Sequence, residues 1–240
     1  MNEISLNISN ECEMSCLNCD LKQSETISAE SILEIMRSGQ FFSRFKKKKV
    51  VNIYGGNPLL NTSFSQLVSF LKNEKIYVRV WTHLNVQLDY IYKINKYVDQ
   101  WCFYFPYLNA DRYQFHVGRH DFDTFEKNLM HLTQDRVSFV LHMPVNQDSL
   151  SQLPDVVDFV LKHQCKLWLH FDKRKFSKAI IKDIYYCARY KGIYVIPVTF
   201  KTGNLSCNIP LNKSYCFEKQ LFYAKWISFF KRWQTKFTIG

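Results

Sequence analysis

No stretch of the 240 residues reaches the run of about 18 uncharged apolar residues that a membrane-spanning helix needs. The first residues are polar, and no positively charged start leads into an apolar run. No secretory signal is therefore expected, and the expected compartment is the cytoplasm. Glycine and proline are scarce, at seven and six residues. No Gly/Ser-rich linker, internal repeat or break in composition marks a second domain. Acidic residues are the minority charge: 21 Asp and Glu against 32 Lys and Arg leave a formal charge of +11. Such a balance draws anions in general. Here the lysines are spread along the chain, with one run at Lys46 to Lys49, which reads as a solvated surface. Nucleic acid is not expected as a partner.

What is present is a large apolar share, 47% of the residues, enough for one sizeable core. Strand-like and helix-like segments alternate along it. Glu3 to Ile8, Val50 to Tyr54, Ile76 to Trp81, Trp101 to Phe105, Val137 to Met143, Lys166 to Phe171 and Ile193 to Thr199 read as strands. Between them, Ala29 to Arg37, Phe64 to Lys72, Leu88 to Asn95, Phe122 to Leu132, Leu150 to His163 and Lys178 to Tyr190 have helical period. Ile32, Leu33, Ile35 and Met36 form the inward face of the first helix, and Leu67, Val68 and Leu71 that of the second. Six or seven strand–helix units with short connections predict a parallel sheet. The expected fold class is α/β, a partial parallel (βα)6-type TIM barrel over residues 1–200. A C-terminal extension with a helical tail follows over 201–240. In such barrels chemistry sits where strands end.

Eight cysteines in a reducing compartment point to metal or redox chemistry, or to small buried side chains, before disulfides. Three of them, Cys12, Cys16 and Cys19, stand as C-x3-C-x2-C directly after the first strand. Thiolates are the ligands that iron–sulfur clusters need, and this spacing lets one loop wrap one cluster. Three thiolates leave one iron of a four-iron cubane open to a substrate or cofactor. The residues alone also admit zinc, although zinc sites usually pair two C-x2-C arms and no second arm exists here.

The loop resembles that of the radical S-adenosylmethionine (SAM) superfamily. A second stretch, Tyr54-Gly55-Gly56-Asn57-Pro58-Leu59-Leu60 at the end of the second strand, is similar to that family's Gly-Gly-Glu-Pro segment, with Asn57 in place of the usual Glu. Thr82 matches the family's turn after the third strand. Asp111 to Leu132 and the turn Pro144-Val145-Asn146 resemble segments of peptide-modifying members. The resemblance implies a [4Fe-4S] cluster on Cys12, Cys16 and Cys19. It also implies SAM held near Gly55, Gly56, Asn57 and Asn146. Reductive cleavage of SAM would give a 5′-deoxyadenosyl radical for hydrogen abstraction, with electrons from a donor such as flavodoxin or ferredoxin. Asn carries an acceptor oxygen but no charge, so Asn57 predicts a weaker hold on an ammonium group than Glu would give. A cluster-containing scaffold that no longer cleaves SAM is the competing reading.

The other candidates are less specific. Cys207 and Cys216 are two thiols, too few for an auxiliary cluster of their own. Cys102, Cys165 and Cys187 are expected in the core. The histidines share no ligand spacing and read as surface or satisfied core residues, except His83 at the end of a strand. Tyr104, Tyr107 and Asn109 are candidates for a substrate pocket. Phe222, Trp226, Phe229, Phe230, Trp233 and Phe237 form an apolar helical stripe. That stripe predicts a helix docked on the barrel, with contact to a membrane surface as the alternative. The expected substrate is a peptide or other macromolecule, with a small metabolite as the alternative.

Overall fold

The computed structural model describes residues 3–16, 19, 28–37, 50–118, 122–172, 175–187 and 193–198. The extension from 201 onward, with Cys207, Cys216 and the aromatic stripe, lies outside the described residues, as does the run at 46–49. Seven strands realise the expected partial barrel: β1 (Glu3–Asn7), β2 (Val50–Tyr54), β3 (Tyr77–Thr82), β4 (Gln100–Tyr104), β5 (Phe139–Val145), β6 (Lys166–Asp172) and β7 (Ile193–Val198). They form one parallel sheet in sequence order, each paired with the next. No ladder joins β7 back to β1 among the described residues, so the barrel is open. The helices are α1 (Ala29–Arg37), α2 (Phe64–Asn73), α3 (Leu88–Ile94), α4 (Ala110–Val117), α5 (Phe122–Gln134), α6 (Leu153–Lys162) and α7 (Lys178–Cys187). None among the described residues is long and apolar enough to cross a membrane.

Strand alternation divides the sheet into two unlike faces. Ile53, Val78, Val80, Trp101, Phe103, Leu141, Met143, Leu167 and Leu169 are buried in one core with Leu67 and Leu71 of α2, Leu129 of α5 and Val156 and Val160 of α6. Burying each such large side chain contributes about 1.5–3 kcal/mol. The alternate residues, on the inner face, are mixed. Asn52 accepts from Arg79 Nη1 (3.1 Å) and Trp81 Nε1 (3.2 Å). The Arg79 guanidinium also lies 4.9 Å from the Trp168 ring centre. Cys102, Val140, Trp168 and Trp81 make a small separate apolar cluster there. Cys102 and Cys165 are buried as expected; the side chain of Cys187 lies outside the described residues.

The scarcity of glycine shows at the helix ends. Lys75, Arg136 and Gln164 adopt left-handed backbone with φ of 58°, 54° and 52° just after α2, α5 and α6. In each case the next residue folds back to the helix: Ile76, Val137 and Cys165 donate N–H bonds to Leu71, Leu132 and Val160. All three are buried. This hydrophobic return drives the turn that glycine would have made without strain.

Two features depart from the sequence reading. The segment after β4 contains a helix, α4, between Asn109 and Gly118. The Asn109 side chain caps it by accepting from Arg112 N–H (3.0 Å), and Gly118 closes it at φ 70°. Its weak amphipathic pattern concealed it. Secondly, β5 runs through Pro144 to Val145. The His142 carbonyl points at β4, accepting from Phe105 N–H (2.8 Å), so a donor on Pro144 would point the same way, beyond the end of β4. No ladder bond is lost there, and proline is tolerated.

Candidate active site

The loop after β1 is fastened to its neighbours by backbone bonds. Ile8 N–H donates to Tyr54 O (3.1 Å), Gly56 N–H to Ser9 O (2.7 Å) and Asn57 N–H to Glu11 O (2.6 Å), extending the β1–β2 pairing into the cysteine loop. From the other side, Ser15 N–H donates to Val117 O at the end of α4 (3.0 Å). Met14 is buried and anchors the middle of the loop in the core. Cys12, Cys16 and Cys19 are thiols, not disulfides, and each is half-buried. Met14 N–H lies 3.4 Å from Cys12 Sγ and donates to it, the kind of bond that stabilises a thiolate. The donor set, three soft sulfurs on one fastened loop, fits an iron–sulfur cluster.

The two glycines of the second motif serve this fastening. A Cβ on Gly55, whose φ of 154° suits glycine alone, would stand 2.3 Å from Ser9 O. One on Gly56 would stand 2.3 Å from Glu11 O and 2.9 Å from Cys12 Cβ. The missing side chains thus admit the cysteine loop itself. Gly56→Ala is expected to push that loop outward, costing about 1–3 kcal/mol of stability and most of the bound iron. Denaturant unfolding and iron analysis check both; an unchanged iron content would show that the contact does not position Cys12.

Asn57 sits at the centre of the site and is 1% exposed. Its Oδ1 accepts from Leu59 N–H (3.1 Å) and Thr82 Oγ1 (3.0 Å). Its Nδ2 donates to both oxygens of Glu13, at 3.1 and 2.9 Å. His83 Nε2 lies 3.3 Å from Glu13 Oε2. One ligand-type atom from each of Cys12, Glu13 and His83 lies within 4.8 Å of the others. Partial burial opposes charge on Glu13, but the Asn57 bonds and nearby His83 prevail and hold its carboxyl below the usual carboxylate range. Sequence reasoning missed Glu13: it stands inside the cysteine motif, where spacing draws attention only to the cysteines.

The remaining candidates fall around the inner face. Tyr104, at the end of β4, bonds through its hydroxyl to His116 Nε2 (2.7 Å). Burial pushes its phenol far above the ordinary range, and the neighbouring Cys16 adds to this. Asn146 Oδ1 accepts from Ser149 N–H (2.8 Å), and its Nδ2 donates to the Tyr107 hydroxyl (3.3 Å). Asn109 is occupied as the cap of α4. His142 and His170 depart from the satisfied core role expected of them. Their rings meet edge to face, 4.0 Å apart, and each Nε2 is buried with no hydrogen-bond partner among the described residues. Strand register puts both on the inner face of adjacent strands, which sequence spacing does not reveal.

No family model and no curated protein matches the sequence. Solved structures do match the fold. SuiB from Streptococcus suis superposes with a TM-score of 0.65 at 15% identity, covering 82% of this chain and 49% of SuiB. SuiB bound to its precursor peptide SuiA gives 0.64 at 16% identity, covering 80% and 48%. The structure of anSMEcpe with bound AdoMet and the Cp18Cys peptide gives 0.58 at 18% identity, covering 71% and 50%. This chain therefore spans about half the length of the proteins it matches. It has the open parallel βα-barrel fold that radical SAM enzymes share.

Proposed function

We propose that this chain is a radical SAM enzyme. The observation that carries the reading is the Gly55–Gly56 turn packed without side chains onto the loop of Cys12, Cys16 and Cys19, at the strand ends of an open barrel. Cys12, Cys16 and Cys19 hold a [4Fe-4S] cluster, while Gly55, Gly56, Asn57 and Asn146 form the neighbouring SAM site. When bound, the two groups together supply a 5′-deoxyadenosyl radical for hydrogen abstraction. The chain's own part is to fix the thiolates, orient SAM and exclude water. Tyr104 walls the site beside Cys16, its hydroxyl hydrogen-bonded to His116 Nε2. A cytoplasmic setting, where thiols stay reduced, and an electron donor of the flavodoxin or ferredoxin kind fit this chemistry.

A peptide is the substrate class we favour. SuiB was solved with a precursor peptide and anSMEcpe with the Cp18Cys peptide, and the side of this barrel between β7 and β1 carries no ladder among the described residues. Anaerobic reconstitution is expected to give about four irons and four sulfides per chain. Reduction in the presence of SAM is expected to release 5′-deoxyadenosine. Stoichiometric zinc would sink the cluster assignment. A loaded cluster that releases no 5′-deoxyadenosine would make the chain a scaffold.

A further inference from the structure

The Asn57 side chain is uncharged and already engaged at both its oxygen and its nitrogen. Its oxygen accepts two bonds and its nitrogen donates toward the two oxygens of one carboxylate, and the partners fix its orientation: Leu59 N–H faces Oδ1, while the Glu13 carboxylate faces Nδ2. Glu13 differs in both charge and access. Its side chain is 37% exposed, against 5% for His83. Asn57 contacts both of its oxygens and His83 one of them, and the carboxylate still reaches solvent beside them. Backbone bonds on either side of it, from Asn57 to Glu11 and from Ser15 to Val117, fix where the loop presents this carboxylate. Within the cluster of Cys12, Glu13, Asn57, Thr82 and His83, Glu13 is the one carboxylate.

We propose that Glu13, held by Asn57 and His83 beside Cys12, is the carboxylate that receives the ammonium group of bound SAM. The assignment rests on the radical SAM reading above and adds to it a residue that the motif comparison does not supply. The charge that Asn57 lacks is delivered from the cysteine loop, and Asn57 becomes its positioning residue. The separation of at most 4.8 Å between the Glu13 oxygen and Cys12 Sγ puts the carboxylate beside any cofactor bound at a cluster on Cys12. A carboxylate accepting from an ammonium makes a charge-assisted bond, stronger than a neutral amide can make.

The test uses the full chain with its cluster reconstituted, comparing wild type with Glu13→Gln. Gln keeps the shape and one acceptor for Asn57 Nδ2, so the loop is expected to hold. Iron and sulfide contents are measured first, followed by equilibrium binding of SAM and of an analogue lacking the α-amino group. The expected result is unchanged iron, SAM binding weakened about 10- to 100-fold, and analogue binding that is equal in both proteins. Equal SAM binding by the two proteins overturns the assignment of Glu13 while leaving the SAM reading standing. Equal weakening of SAM and analogue makes Glu13 merely structural and also overturns it. Loss of iron in the variant places Glu13 on the metal and overturns it. Wild type that carries four irons but binds no SAM removes both readings. If Glu13→Gln does not fold, Glu13→Asp takes its place: drawing the carboxylate back by one methylene is expected to weaken SAM binding at least tenfold with analogue binding unchanged, and SAM binding equal to that of wild type overturns the assignment.

Discussion

Replacing Cys12, Cys16 and Cys19 together by Ala is expected to reduce bound iron to background and abolish release of 5′-deoxyadenosine, while the barrel stays folded. The asymmetry follows from where the sulfurs sit. They are half-buried on a loop, at the margin of the core, whereas the core itself lies between the sheet and its helices. The loop's fastening runs through backbone atoms and the buried Met14, which the substitutions leave in place. Each truncation at such a site is expected to cost no more than about 1 kcal/mol. Cys165→Ala is the control. Burial pushes the Cys165 thiol up to about 12, so it stays protonated at neutral pH and is a poor ligand. Iron analysis with circular dichroism reads both effects. A triple variant that keeps four irons would show that other cysteines hold the metal.

Lowering the pH from 7 to 4 is expected to remove about 2–3 kcal/mol of stability through His142 alone, with His170 on the same inner face adding to the loss. Burial pushes the His142 imidazole down to about 4, and burial together with His142 lowers His170 well below the ordinary value. Their surroundings explain it. Trp81 lies 5.1 Å from His142 and 6.0 Å from His170, and Tyr104 lies 6.1 Å from His142. No carboxylate contact offsets the loss of water for either ring among the described residues. In the unfolded chain a histidine binds a proton near pH 6.5, while the folded chain keeps these rings neutral. Unfolding therefore takes up protons as pH falls. The stabilisation is complete above about pH 6.5 and is lost progressively toward pH 4. Urea unfolding at a series of pH values measures the slope. His142→Leu is expected to flatten it, and an identical slope in wild type and variant would assign the acid sensitivity to other groups.

Much of the architecture is local in origin. The first helix and second strand fall at the residues that periodicity gave them, Ala29–Arg37 and Val50–Tyr54. A strand or helix buried on one side must repeat its apolar residues at its own period, and that repeat is written in neighbouring positions. The alternation of the two periods then leaves few alternatives to a parallel βα sheet. Helix α4 escaped because eight residues with a weak apolar repeat resemble a loop, although Asn109 and Gly118 mark its ends.

The chemistry-bearing residues divide differently. Spacing alone brought out Cys12, Cys16 and Cys19, because three ligands on one short loop are neighbours in sequence as well as in space. Gly55 and Gly56 were recognisable as a turn, but the atoms their missing side chains avoid, Ser9 O and Glu11 O, lie over 40 residues earlier in the chain. Glu13 meets Asn57 across 44 residues and His83 across 70. His142 meets His170 only through the register of β5 with β6. The sequence by itself thus determined the alternating elements, the apolar faces and the cysteine loop, since each is a pattern of near neighbours. Only the tertiary structure decided which polar groups share the inner face and which carboxylate stands beside Cys12. Those contacts are set by strand register and loop closure over long separations, where one residue's shift would exchange every partner.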